Sequence, residues 1–174
     1  TAAGQPDATF GVDGVVVDDL SPRIVNGGRG VRAADDSLYF GASDFVAKYT
    51  PTGARDVSFG ANGLVDVAMA RISSIAVRAD GALFAVGTLD SDAYAFGFSA
   101  SGAPLPGFAA DGKVAAVRPA SAPGAAFLSI LRDGDSSLVI GQFDDESYER
   151  GELFVQRLRD DGSFDPAFGE GGML

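Results

Sequence analysis

The sequence predicts an all-β fold, a β-propeller-type array of three four-stranded blades plus the start of a fourth, and three observations carry that prediction. A marker of the form G-x-x-D-x-x-F-G-x-x-G recurs along the chain. Short apolar runs follow each marker in a constant order and are divided by Asp-Asp or Asp-Gly turns. No stretch sustains an i, i+3, i+4 apolar pattern over about ten residues without a Gly, Pro or Asp-Gly interruption, which disfavours helix throughout.

The marker sets the repeat. Its first copy is Gly4, Asp7, Phe10, Gly11 and Gly14, and its second is Gly53, Asp56, Phe59, Gly60 and Gly63. The third begins at Gly102 and keeps Phe108 and Gly112, with Leu105 in place of Asp and Ala109 in place of the second Gly. A full copy returns as Gly162, Asp165, Phe168, Gly169 and Gly172, so the markers start at intervals of 49, 49 and 60 residues. Residues 1–174 therefore read as one repeat-built domain, with units of about 4–52, 53–101 and 102–161 and a partial unit 162–174. Insertions at Pro119–Ala125 and at Asp144–Arg150 lengthen the third interval.

Each unit holds four short apolar segments, the content of one propeller blade. Strand A follows the marker as Val15–Val17, Leu64–Val67 and Val114–Val117, and is expected to be the innermost strand of its own unit. Strands B and C form a hairpin: Gly30–Ala33 with Leu38–Gly41, Ile75–Arg78 with Leu83–Gly87, and Leu128–Arg132 with Leu138–Gly141. Asp-Gly between apolar runs is a strong hairpin signal because Gly takes a positive φ without steric cost. Strand D closes the unit as Phe45–Tyr49, Tyr94–Phe98 and Leu153–Leu158.

The marker, followed by a B–C hairpin with a D-G turn and an apolar C strand ending in Gly, resembles the delta-60 repeat family of bacterial β-propeller-like proteins. The resemblance covers nearly all of the chain and departs from the family pattern at Leu105 and Ala109. It implies a secreted or surface-associated propeller without catalytic residues. Closed propellers have four to eight blades. Three blades leave open edges, which a soluble protein must cover. The sequence thus predicts completion by another chain: a second copy giving six blades, or the remainder of a longer chain, to which the partial marker at Phe168–Gly172 points.

Composition narrows function. Lys and Arg total 13 against 24 Asp and Glu, a formal charge of −11, which repels nucleic acid and anionic lipid. With no Cys and no His, thiolate metal sites, cysteine nucleophiles and His-based triads are excluded. No cofactor is expected. Any metal would be a hard, oxygen-ligated cation such as calcium, at Asp133-Gly134-Asp135 or Asp144-Asp145-Glu146, although neither matches the full calcium-loop spacing. No apolar run reaches the roughly 20 residues of a membrane helix. The small-residue opening Thr1-Ala2-Ala3-Gly4 and the acidic, lysine-poor composition lead us to expect export to a secreted or cell-surface location.

Candidate site residues follow from the repeat. Phe10, Phe59, Phe108 and Phe168 are expected to wedge between adjacent blades as structural anchors. Arg32, Arg78 and Arg132 recur beside the B–C turn; they are expected either to pair with the marker aspartates Asp7, Asp56 and Asp165, or to form a cationic ring facing a ligand or partner. Asp18 and Asp66, in or beside strand A, offer the carboxylates a glycosidase would need. The functional expectation is a non-enzymatic interaction or structural protein acting by protein–protein contact. The alternative is a carbohydrate-binding or carbohydrate-active propeller, in which Tyr39, Tyr94 and Tyr148 would stand in for the missing Trp.

Overall fold

A computed structural model describes residues 4–23, 25, 28–67, 71–144 and 151–174. Among them there is no helix; eleven strands form three antiparallel sheets. The first sheet runs in the order β1 (Arg29–Arg32), β2 (Leu38–Ala42), β3 (Phe45–Tyr49) and β4 (Leu64–Asp66). The second comprises β5 (Arg71–Val77), β6 (Leu83–Leu89), β7 (Asp92–Phe98) and β8 (Lys113–Ala115). The third comprises β9 (Ala125–Asp133), β10 (Ser136–Asp144) and β11 (Gly151–Arg159).

Strand A does not lie where the sequence placed it. β4 follows the second marker, yet pairs with β3 of the preceding unit through Val46↔Val65, and β8 pairs likewise with β7 through Ala95↔Val114. Strand A is therefore the far edge of the previous sheet and not the innermost strand of its own. The cause is chain geometry: the tight marker turn reverses the chain beside strand D, so the next extended residues meet that strand first. The same logic extends the third sheet, where Val155 and Leu174 exchange backbone hydrogen bonds of 2.8 and 3.0 Å and Gln156 bridges Met173. Val15–Val17, the first strand A, has no sheet partner among the described residues.

The marker works as a backbone device. Besides the opening glycine of each copy, three further positions of the first, second and fourth copies have positive φ: Gly11, Asp13 and Gly14 (61°, 52°, 86°), Gly60, Asn62 and Gly63 (54°, 54°, 84°), and Gly169, Gly171 and Gly172 (62°, 63°, 92°). Asp and Asn tolerate this region better than other side chains, which explains why only Asp, Asn or Gly stands at the middle position. The marker also ties each unit to the next: Gly11 N–H donates to the Thr52 carbonyl at 2.9 Å, Gly60 to Ser101 at 2.8 Å and Ala109 to Asp161 at 2.8 Å.

Leu38 pairs with Tyr49, Leu83 with Phe98 and Ser137 with Leu158, which fixes the equivalence of the three sheets. Because side chains alternate across a strand, each sheet has a forward face towards the next sheet and a rear face towards the previous one. The forward residues Tyr39, Val46, Phe59 and Val65 of the first sheet form one core with the rear residues Ile75, Leu83, Ala85 and Phe98 of the second. The forward residues Phe84, Val86, Ala95 and Phe108 of the second meet Phe127, Ile130, Val139 and Leu158 of the third. Phe59 and Phe108, 0% and 1% exposed, sit in these two cores, each contributing about 1.5–3 kcal/mol of burial.

Candidate interaction interface

The forward face of the third sheet repeats the pattern of the first two with nothing against it among the described residues. Leu138 is the register equivalent of Tyr39 and Phe84, which are each 1% exposed, but is itself only half-buried. Its cross-strand neighbour Leu131 is 54% exposed, whereas the equivalent Ala76 is 4% exposed. Ile140, Val155 and Phe168 are half-buried on the same face, and Leu174 is largely exposed. The four marker phenylalanines divide accordingly: Phe59 and Phe108 are buried between sheets, while Phe10 and Phe168, at the two ends of the array, are half-buried.

The rear face of the first sheet is the opposite end. Ala42, Phe45 and Ala47 form a small core there with Leu20, Phe40, Tyr49 and Leu64. Beside it lies a cavity of about 550 Å³ lined by Phe10, Val16, Leu20, Phe40, Tyr49 and Arg32 among others. Val15 and Val17, the chain neighbours of the lining residue Val16, are 56% and 93% exposed. Residues 16–20 are strapped over this face by Asp18, whose carboxylate accepts hydrogen bonds from Arg55 Nε at 2.8 Å and Tyr49 Oη at 2.9 Å. The Arg55 guanidinium holds Asp18 below the usual carboxylate range. Burial, reinforced by the Asp18 carboxylate, pushes the Tyr49 phenol up to about 12.

The arginine positions are not one ring. Arg32 and Arg132 are equivalent, opposite Leu38 and Ser137, but the residue opposite Leu83 is Val77, so Arg78 lies one step further and on the other face of its sheet. Sequence spacing missed this because the second B–C turn places its arginine nearer the loop. Arg78 and Arg132 consequently converge from facing sheets on one carboxylate, Asp160, at 3.2 and 2.7 Å, and Arg132 also lies over the Phe84 ring at 5.5 Å. Arg78 additionally grips Asp80, holding that carboxyl at about 2. Arg32 pairs with Asp36 at 2.6 Å.

None of the three pairs with a marker aspartate as expected. The marker aspartates instead close their own turns. Asp7 accepts from Thr9 N–H and Oγ1 at 3.0 and 2.6 Å, Asp56 from Ser58 at 3.1 and 2.6 Å, and Asp165 from Ala167 N–H at 3.1 Å. Short side-chain oxygens reaching the backbone two residues on are the common stabiliser of such turns. Asp56 also holds Lys48 at 3.0 Å and Asp165 holds Arg159 at 2.6 Å.

Asp66 is at the outer edge strand and is paired with Arg23, while Asp18 belongs to the strap, so the two carboxylates sit on separate segments, each with its own arginine. Asp133-Gly134-Asp135 forms the tight β9–β10 turn, with Asp133 3.6 Å from Arg157. Asp145, Glu146 and Tyr148 lie outside the described residues. Among the described residues no group of three acidic side chains is gathered for a metal ion. A second cavity, of about 340 Å³, opens where β1, β5 and β9 begin and carries Arg29 and Arg71 on its wall. Compared with known proteins, the chain matches no family model and no curated sequence.

Proposed function

We propose that the chain is a non-enzymatic, β-propeller-type interaction or structural protein of the delta-60 repeat kind that works by protein–protein contact in an extracytoplasmic setting. The observation carrying this reading is the forward face of the third sheet, uncovered among the described residues, whose equivalents in the first two sheets are core. An apolar surface of that continuity marks a contact site. The propeller arrangement is supported by the first strands of the sheets, since β1 packs on β5 and β5 on β9, as strands standing around a common axis do. The acidic, lysine-poor composition suits an exported protein.

Protein contact is favoured over sugar binding because the two candidate tyrosines among the described residues are engaged elsewhere. Tyr39 is 1% exposed, and Tyr94 packs on the core between the first and second sheets. A non-enzymatic role is favoured by the pairing of Asp18 and Asp66 with separate arginines. The test is light scattering across a concentration series. The chain should form particles heavier than its 17.7 kDa mass, and Ile140→Asp on the uncovered face should return it to that mass. A 17.7 kDa particle at every concentration overturns the reading.

A further inference from the structure

We propose that the cavity where β1, β5 and β9 begin binds a small organic anion, its carboxylate or phosphate group held by Arg29 and Arg71 and its apolar part resting on Ile72, Phe127 and Leu128. Its volume of about 340 Å³ is of the size that takes small molecules. All three sheets contribute to its wall, so the site is apart from the two end faces of the array and independent of the protein-contact reading above.

Charge is the first argument. Every other arginine among the described residues reaches a carboxylate at 3.6 Å or less. Arg29 and Arg71 have no carboxylate partner among the described residues, and both line this cavity. The other polar side chains on its wall are the Ser73 and Thr88 hydroxyls, which can donate, and none of its lining residues is acidic. The cavities beside the first sheet differ: one carries Asp18 with Arg32, the other Asp7 and Asp36 with Arg32. A chain that neutralises its remaining arginines and leaves these two in one cavity has an uncompensated positive site, and guanidinium groups are matched to carboxylate and phosphate oxygens. The net charge of −11 opposes an anion at a distance, but in physiological salt charges beyond about 8 Å are largely screened, so the two guanidiniums decide inside the cavity.

Backbone shape is the second argument. In β5, Ile72 is opposite Gly87 and Ser74 is opposite Val86, which leaves Ser73 as an extra, bulged residue. In β9, Phe127 is opposite Gly141 and Ser129 is opposite Ile140, which leaves Leu128 bulged at the same level. Both bulged residues line the cavity. The bulge at Ser73 puts Ile72 on the rear face with Ile75, and so turns Arg71 to the forward face beside its cross-strand partner Thr88; in an unbroken strand Arg71 would be on the rear face. Arg29 is opposite Gly41, where a Cβ would stand 3.2 Å from Ile72 Cγ2, so Arg29 lies on the face of the first sheet that looks at β5. Leu128, 41% exposed, supplies apolar surface for a ligand to cover.

Calorimetric titration at fixed ionic strength decides it, with phenyl phosphate and benzoate as probes. At least one should bind, and the tighter of the two identifies the anionic group. Benzyl alcohol, the ring without the charge, should not bind. Inorganic phosphate or acetate, the charge without the ring, should bind about tenfold more weakly than its ring-bearing counterpart. Arg29→Gln and Arg71→Gln should each weaken binding about tenfold or more, while Arg159→Gln, outside the cavity, should leave it unchanged. Both cavity arginines are exposed, so their variants should melt at or above the temperature of the parent chain without ligand, yet lose the rise in melting temperature that the anion produces. No binding of either probe, equal binding of the uncharged alcohol, or undiminished affinity in either cavity variant overturns the proposal.

Discussion

Ala109 holds a left-handed backbone position, φ 48°, where the other markers have Gly11, Gly60 and Gly169 at 61°, 54° and 62°. An alanine there is strained by about 1–2 kcal/mol because its Cβ crowds the backbone. Its amide still makes the unit-to-unit bond to Asp161, so the inter-unit contact imposes the conformation on the residue. Ala109→Gly removes the strain but enlarges the freedom of the unfolded chain by about 0.5–1 kcal/mol. The side chain is exposed, so no packing is lost. The balance is a rise in melting temperature of about 1–4 °C in a thermal scan. The loss of marker glycine at this position was legible in the sequence. The meaning of Asp13, Asn62 and Gly171 was not, because a left-handed requirement at the third residue emerges only when the φ values of the copies are set side by side.

The strap over the first sheet shows what a single segment can do once it is fastened. Asp18 was read as a carboxylate in or beside an inner strand; it is instead the clasp joining the strap to Tyr49 and Arg55. Its folded acidity is stronger than in the unfolded chain, so between those two values the unfolded state binds more protons. The Asp18 contribution is present above about pH 4 and is lost as pH falls further. Tyr49 works in the opposite sense: its phenol keeps its proton in the folded state up to about 12, while the unfolded chain releases it near 10, so stability falls as pH rises between the two. Denaturant midpoints measured against pH should show both slopes. Asp18→Asn should flatten the acid one and Tyr49→Phe the alkaline one. The B–C hairpins were readable as elements because Asp-Gly and Asp-Asp turns interrupt apolar runs. The one-step displacement of Arg78 was not, because register depends on how many residues the turn consumes.

Across the whole molecule the sheets differ in cover. The second sheet packs on both faces, against Tyr39 and Phe59 on one side and Phe127 and Val139 on the other, whereas the first and third each have one face against a neighbouring sheet. In an array stabilised by nearest-neighbour interfaces, the unit with two neighbours opens last. Native-state hydrogen exchange should find the slowest amides in β5–β7, with β1 and β2 exchanging earlier, and equal protection in all three sheets would contradict that ordering. The sequence by itself determined the all-β class, the marker, the number of units and the hairpins, because turn chemistry and two-residue alternation are local properties. Only the tertiary structure decided that strand A serves the preceding unit, that Arg78 faces away from the side Arg32 and Arg132 share, and that one sheet face is uncovered among the described residues. Those outcomes depend on which strand edge the chain meets after each turn and on what lies across the sheet, and both are set by contacts between residues far apart in the chain.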